Sequence, residues 1–587
     1  LEQIVVFDKK GILYEIAGEF AGLERLEARE IIVEKLQKLG FIEKIESHKN
    51  QVGHCYRCGN VVEPYISKQW FLKKEIAQKA IEKTNANESK FFPPQWKNNY
   101  NAWMKELRDW CISRQLWWGH QIPVFYCNTC KAQWADTKET KHCPKCKSED
   151  IYQDPDVLDT WFSSALWSFS TLGFGNGEWG KDTLWFEEDL KTFYPNSLLI
   201  TGFDILFFWV ARMLILGEHS LSKLPFRDIY LHALVRDEKG QKMSKSKGNV
   251  INPLDLIENY SADVLRFTLA TLCVQGRDIK LSNNQLEISK NFTNKLYNAT
   301  NFLLLNANSF PNLEEIGTPK SALGQYLAQL LSETIKEIRT HLESYRFNDG
   351  ANTLYRFLWG SFCDWGIELS KVSKDCIIEI GAIFKESLLL LHPYMPFLSE
   401  YLWHRLSNSN LEKNNSIMVK PYPTFSYNNA TNFKVFEIIL DAIISIRRSK
   451  TTINLANQKI DKAYIRLNDT IPDNLLDLLK NYICKLAKVA DIQITHQKIP
   501  NCIVDITEKL ETYIPTQSID LNPIIQRLQK QQEKTQKEIN KLEGMLNNPK
   551  FLANAPKNVL ADNQNLLLEQ QEKLNKIQLE LKSLFRG

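Results

Sequence analysis

The sequence predicts a mixed α/β protein that carries a cysteine ribbon, an all-helical bundle and a C-terminal antiparallel coiled-coil hairpin. Three observations lead there. Two CxxC pairs, Cys127/Cys130 and Cys143/Cys146, stand twelve residues apart. Apolar runs of strand length alternate with amphipathic helical stretches as far as residue 290, after which helical periodicity stands alone. Towards the C terminus the apolar spacing settles into alternate steps of three and four.

Residues 1–60 give a short strand signal at 4–7 and a helix at 26–39 that Gly40 ends. The chain opens on Leu1 and that first strand has no earlier partner. The expectation is therefore a C-terminal part of a longer polypeptide. Residues 61–290 form the α/β block, with strands expected at 197–201 and 229–235 and the ribbon at 120–155. The apolar stretch 200–216 contains Asp204 and Arg212, so it reads as a buried helix, not a membrane span. Residues 291–440 are helical in pattern, with proline breaks near 311–319 and 421–423. Residues 441–515 are a small mixed segment, rich in strand formers such as Ala463-Tyr464-Ile465-Arg466-Leu467.

Residues 516–587 form the arm. Ile525, Leu528, Gln532, Thr535, Ile539, Leu542 and Leu546 make one heptad seam. Leu560, Leu567, Gln570, Leu574, Ile577, Leu581 and Leu584 make a second, and Asn547-Asn548-Pro549 and Pro556 turn the chain between them. Two limbs of about 22 residues span about 33 Å each.

The chain has 587 residues, enough for several domains, and 73 basic against 69 acidic residues leave a net charge of +4. A polyanionic partner would therefore be met by local patches and not by global charge. Of twelve cysteines, four stand in two CxxC pairs within twenty residues and point to metal, and the absence of a signal-peptide pattern points to the cytoplasm. Cys127, Cys130, Cys143 and Cys146 place four thiolates within tetrahedral reach of one Zn²⁺. With all four positions filled by sulfur, the site is structural; His142 is a weaker substitute ligand. Cys55-x2-Cys58 stands without a partner pair and reads equally as half of a second zinc site or as a knuckle without metal.

The segment Lys242-Met243-Ser244-Lys245-Ser246-Lys247-Gly248-Asn249 lies between a predicted strand at 228–235 and a helix opening at Asn252-Pro253. It is cationic and rich in donors, which suits a polyphosphate whose charge changes during reaction. A lysine-rich run is otherwise solvated surface. Here the order K-M-S-K-S resembles the signature loop of the class I aminoacyl-tRNA synthetases. Asp109-Trp110-Cys111-Ile112-Ser113-Arg114-Gln115-Leu116-Trp117-Trp118-Gly119-His120 resembles the members for branched aliphatic amino acids. Asp156-Val157-Leu158-Asp159-Thr160-Trp161-Phe162-Ser163-Ser164 and Thr201-Gly202-Phe203-Asp204-Ile205-Leu206-Phe207-Phe208-Trp209 resemble the valyl family in particular.

That resemblance implies the second half of a class I Rossmann-like catalytic domain in 61–290. It also implies a remnant of the editing insertion in 1–60, an anticodon-binding bundle in 291–440 and a tRNA-binding hairpin. The implied partners are valine, ATP with Mg²⁺, and tRNA(Val), with threonine edited in the full-length protein and the enzyme monomeric. Lys245, assisted by Lys242, is implied to stabilise the phosphates, with Ser244 and Ser246 donating hydroxyls. Gly202 and Asp204 are implied at the ribose, and Trp161, Ile205 and Trp209 at the amino-acid pocket. Outside the resemblance, Asp204 reads as a helix N-cap and the two tryptophans as core.

Gly366 departs from the family pattern, where an aromatic is usual, and is expected to leave a hole in the bundle. Residues 444–455 are basic and are expected to meet RNA phosphate. Lys530, Lys534, Lys537 and Lys541 are expected to do the same on the arm, although Glu533, Glu538 and Glu543 alternate with them as on any solvated helix. The second signature of the class, of H-x-G-H type, is absent, so this polypeptide alone is expected not to form valyl-adenylate. Two alternatives remain: a non-catalytic zinc-containing RNA-binding protein, and an isoleucine–tRNA ligase. The latter is expected to carry a C-terminal cysteine cluster, and after Cys376 only Cys484 and Cys502 occur.

Overall fold

A computed structural model describes residues 4–55, 58–136, 140–174, 186–244, 248–410, 415–453, 455–516, 522–547 and 557–585. The chain divides into two compact units, Leu1–Tyr230 and Leu231–Gly587.

The first unit is built on a three-stranded sheet in which Phe226–His232 lies between Lys90–Phe92 and Asn196–Gly202. Asp228, Ile229 and Tyr230 pair in parallel with Lys90, Phe91 and Phe92. The central strand buries Phe226, Ile229, Tyr230 and Leu231 and leaves Arg227 and His232 exposed. The stretch 200–216, expected as one buried helix, is divided: it ends the strand Asn196–Gly202, passes through the 3₁₀ turn Phe203–Ile205 and the π-helix Leu206–Val210, and only then enters the α-helix Ala211–Leu221, where Met213, Leu214, Ile215 and Leu216 are buried. Gly217 on that helix cannot be replaced freely. A Cβ there would meet the Tyr194 hydroxyl at 2.9 Å and Pro225 Cδ at 3.0 Å. Its neighbour Glu218 is buried and paired with Lys83 at 3.0 Å, as a buried carboxylate requires.

Two expectations for the first unit change. The strand expected at 4–7 is only an isolated bridge from Phe7 to Leu13, and Ile4, Val5 and Val6 are exposed. Its β-branched residues have no sheet to join. The strand expected to run to residue 235 breaks after His232 and resumes as Val235–Arg236, which pairs with Ile279–Lys280 in the second unit.

The second unit begins with that short pair and continues as a helical bundle. Its principal helices are Asn283–Leu304, Ala322–Glu343, Ile377–Leu391, Pro396–Ser407 and Ala430–Thr452. Ser282 and Gln285 form a capping box at the first, and Ser321 caps the second. A π-helical run, Arg356–Gly366, crosses the bundle. Gly366 ends it, and the expected hole is absent. Leu327 of Ala322–Glu343 fills the space, and a Cβ on residue 366 would meet it at 3.1 Å.

A four-stranded sheet follows, in the order Val489–Ile494, Ile460–Leu467, Leu510–Pro515, Cys502–Ile506. The first pair is parallel, joined by the crossover helix Leu476–Ala487; the other pairs are antiparallel. The sheet removes Lys450 from the basic strip expected at 444–455, whereas Arg447 and Arg448 stay exposed. Lys450 is 1% exposed, and its ammonium donates to the carbonyls of Gln458 and Ala487, the latter at the C-terminal end of that helix. A cation there meets carbonyls left unpaired by the helix and the negative end of its dipole. Arg448 pairs with Asp505 at 3.1 Å, and Arg447 donates to the Leu486 carbonyl.

Helices Asn522–Leu546 and Lys557–Phe585 end the unit and pack against each other. Leu528 clusters with Ile577 and Leu581, whereas Glu543 accepts from Gln571, so the two run antiparallel. Every described seam residue is buried or partly buried. The turn, 548–556, and the side chain of Leu584 lie outside the described residues. At the base of the pair, Leu528, Ile577 and Leu581 pack with Ile453, Leu455 and Ile503 of the sheet segment.

Candidate functional site

The four-cysteine cluster is the most fully formed site in the first unit. Strands Val124–Cys127, Gln133–Ala135 and Ile151–Gln153 make an antiparallel ribbon with Val124–Cys127 in the middle. Each CxxC pair closes a tight knuckle. The amide of Lys131 donates to the Cys127 carbonyl at 3.0 Å, and that of Cys127 to Ala132 O. Lys147, Cys143 and Ser148 repeat the pattern. Lys131 and Lys147 accordingly have φ of 58° and 63°. The four sulfurs all lie within 4.8 Å of one another, with Cys127–Cys146 and Cys130–Cys143 both at 3.6 Å.

A tetrahedron with Zn–S of about 2.3 Å has edges of about 3.8 Å, close to the two 3.6 Å edges, so the cluster suits a Zn²⁺ with a small closing of the remaining separations. Metal-free, the sulfurs differ in acidity. The Cys130 N–H leads in holding Cys127 down to about 6. Cys146, despite the Ser148 N–H, is pushed up to about 12 by burial and by the sulfurs around it. Cys55 has the same backbone pattern, its amide donating to Asn60 O and Gly59 N to its carbonyl, with Gly59 at φ 74°.

The proposed amino-acid pocket residues also belong to the first unit. Trp161 lies on Thr160–Ala165, Ile205 on the 3₁₀ turn Phe203–Ile205, and Trp209 on the π-helix Leu206–Val210 that leads into Ala211–Leu221. Single-turn π segments interrupt α-helices often at functional positions because they re-aim one side chain. The structure brings the two tryptophan-bearing elements together. Trp161 stacks on Phe208 at 6.2 Å, and Trp209 Nε1 donates to the Ser164 carbonyl at 3.3 Å. All three candidate residues are partly buried.

Beneath them lies a network that sequence reasoning did not single out. The Arg212 guanidinium sits 4.1 Å from the Trp110 ring centre and 5.1 Å from that of Trp103. Burial lowers it to about 10, against the pull of Asp159. Asp159, buried just before Thr160, accepts from Trp110 Nε1 and pairs with Arg114, both at 3.2 Å. The signal available was the cluster of Arg and Trp in the quoted motifs.

Gly202 closes its strand with φ −69°, an ordinary extended backbone, and is buried. Asp204 is exposed in the turn that follows and does not cap it; Gly202 holds the N-cap position. The capping reading of Asp204 therefore fails, and its carboxylate faces outward.

The lysine loop belongs to the second unit. Lys245, Ser246 and Lys247 lie outside the described residues. Lys242 is exposed and forms a bridge with Arg236. Asn249 ties the two limbs of the loop. Its Oδ1 accepts from Ser244 N at 2.9 Å, and its Nδ2 donates to Asp237 Oδ2 at 2.9 Å. Asp237 also accepts from Gln241 N at 2.7 Å, across a turn where Gly240 has φ 77°. The side chain of Asn249 and the Gln241 N–H hold the Asp237 carboxyl below its ordinary range. Beyond the loop, Asn252 caps Pro253–Tyr260.

Comparison with known proteins matches three segments of the chain in order. Residues 19–282 match the model of tRNA synthetases class I (I, L, M and V). Residues 324–465 match the anticodon-binding domain of tRNA ligase, and 520–585 the valyl tRNA synthetase tRNA binding arm. A valine–tRNA ligase of Wolinella succinogenes is 65% identical over 534 residues, covering 91% of this chain and 59% of the relative. One of Nitratiruptor is 63% identical over 532 residues, covering 90% and 60%. One of Campylobacter jejuni is 58% identical over 534, covering 91% and 61%. The chain spans about 60% of the length of these curated relatives. With all three models matched in sequence order, the chain belongs to the class I tRNA synthetases, alongside the valine–tRNA ligases.

Proposed function

We propose that this chain supplies part of the catalytic domain, together with the anticodon-binding domain and tRNA-binding arm, of an ATP-dependent valine–tRNA ligase. The observation that carries this reading is the coincidence of two things: the Trp161 and Trp209 elements packed on each other, and a C-terminal segment that matches a valyl arm. The arm match and the named relatives favour valine over isoleucine, and the matched catalytic domain favours an enzyme over an RNA-binding protein alone.

Valine is activated with ATP to valyl-adenylate and pyrophosphate, and the valyl group then passes to the 3′-terminal adenosine of tRNA(Val). Negative charge builds on the α-phosphoryl group and the leaving pyrophosphate. Lys245, with Lys242, meets it as a point charge, and Ser244 and Ser246 donate to the same oxygens. Because that interaction is strongest in the transition state, it acts on kcat and not on valine binding. Mg²⁺ bound with the phosphates would neutralise part of their charge. Asp204 accepts from a ribose hydroxyl next to Gly202.

Trp161, Ile205 and Trp209 wall the valine pocket, and the Arg212–Asp159 network holds the helix that bears Trp161. Such a slot excludes isoleucine by its extra methylene but discriminates weakly against isosteric threonine, so the complete protein edits threonine. Cys127, Cys130, Cys143 and Cys146 hold a structural Zn²⁺ with no position open to water. The two terminal helices are a coiled-coil hairpin that lies along tRNA. The protein works as a cytoplasmic monomer; among the described residues no helix is long and apolar enough to cross a membrane.

The test is amino-acid-dependent pyrophosphate exchange by the complete gene product that carries this sequence. Valine is expected to support it best, threonine weakly and isoleucine least. Equal or greater exchange with isoleucine would refute the assignment.

A further inference from the structure

The arm is charged differently on its two sides. On Asn522–Leu546 the seam takes the a and d positions of each heptad, Ile525, Leu528, Gln532, Thr535, Ile539, Leu542 and Leu546. Counted from these, Arg527, Lys530, Lys534, Lys537 and Lys541 all fall on c and f, the side opposite the seam. Glu533, Glu538 and Glu543 fall on b, g and e, on the flanks. The alternation of charge along the sequence is therefore a segregation around the helix. The four lysines are exposed, and none takes part in an ion pair among the described residues. From Lys530 to Lys541 they extend over about 16 Å.

The partner helix is different. The corresponding outward positions of Lys557–Phe585 are Asp562, Asn565, Glu569, Glu572, Lys576 and Leu579, three acidic residues against one lysine. Neither helix can turn to exchange these faces. Leu528, Ile577 and Leu581 are held at the base of the pair against Ile453, Leu455 and Ile503.

We propose that the arm meets the tRNA sugar–phosphate backbone with one side only. The c/f stripe of Asn522–Leu546 lies on the phosphates, and the outward face of Lys557–Phe585 is turned away from them. This rests on the reading of the arm as a tRNA-binding element, and the test separates the two. Phosphate contacts by lysine release counterions, so each one contributes about 0.7–0.9 to the slope of log K against log salt.

The experiment measures binding of a valine-accepting tRNA transcript by the 587-residue chain over 50–200 mM salt. Helicity is checked by circular dichroism. The variant K530Q/K534Q/K537Q/K541Q is expected to lower the magnitude of the slope by about 3. The variants K573Q/K576Q and E569K/E572K are expected to leave it unchanged to within about 0.5. An unchanged slope in the four-lysine variant, with a fall of one or more in K573Q/K576Q, overturns the assignment of the face while leaving the arm as an RNA contact. A rise of one or more in E569K/E572K also overturns that assignment. If all six substitutions together change nothing, the arm does not bind tRNA, and the underlying reading falls with the proposal.

Discussion

Substituting Cys143 with serine tests the metal centre most sharply. Its side chain is fully buried, and its sulfur lies 3.6 Å from that of Cys130. A Zn²⁺ bound by all four sulfurs takes up a tetrahedron with edges of about 3.8 Å; the Cys127–Cys146 and Cys130–Cys143 edges are already 3.6 Å, and all four sulfurs lie within 4.8 Å of one another. Very little chain holds that ribbon otherwise: strands of four, three and three residues, with Val124, Phe125 and Ile122 the main buried apolar side chains. With so small an apolar core, metal binding, worth about 10–16 kcal/mol in small zinc modules, is expected to be a main source of the ribbon's order. The expected result is zinc retained by the purified chain and lost in Cys143→Ser. Limited proteolysis should then cut the variant between 122 and 154 first. Elemental analysis and mass spectrometry of the fragments read both outcomes. Zinc retained by the variant, or a ribbon equally resistant without metal, would refute the reasoning.

Asn249→Ala removes the tie between Ser244 and Asp237 and is expected to raise the KM for ATP in the complete gene product several-fold, with the KM for valine unchanged; steady-state exchange kinetics check it. Because Asp237 is lowered when folded, its contribution to loop order is present above the ordinary carboxylate range and disappears as pH falls through the lowered value. An NMR titration should therefore show the Asn249 side-chain resonances constant from pH 5 to 8 and moving only in acid. Gly217→Ala forces a methyl group against Tyr194 and Pro225 and is expected to destabilise the first unit by about 1–3 kcal/mol, measured by denaturant unfolding. Lys450→Met leaves the carbonyls of Gln458 and Ala487 without their donor. It is expected to lower stability by about 1–3 kcal/mol while leaving the salt slope of tRNA binding unchanged, as a buried residue should.

The parts legible in the sequence were those with a strict period or spacing. The heptad steps placed every described seam residue correctly because a two-helix seam allows no other side inward. The cysteine spacing gave the four-sulfur cluster for a similar reason: two knuckles fix four sulfurs almost by themselves. What escaped depends on tertiary partners. Nothing local distinguishes Lys450 from the exposed arginines beside it; the end of Leu476–Ala487 and the strands around it bury it. Gly366 read as a hole because Leu327, thirty-nine positions earlier, could not be seen to fill it. The π segment at 206–210 has no signature of its own, although it sets the direction of Trp209. The tie made by Asn249 depends on a turn that brings Asp237 back beside it, twelve residues away.

In the proposed function an ammonium group at position 245 acts on phosphate charge during activation of valine. Pre-steady-state formation of adenylate by the complete gene product, with and without Lys245→Ala, measures this directly. The rate of adenylate formation is expected to fall by at least about a hundredfold, with valine affinity unchanged within about twofold. An unaltered rate, or a loss confined to valine binding, would contradict it.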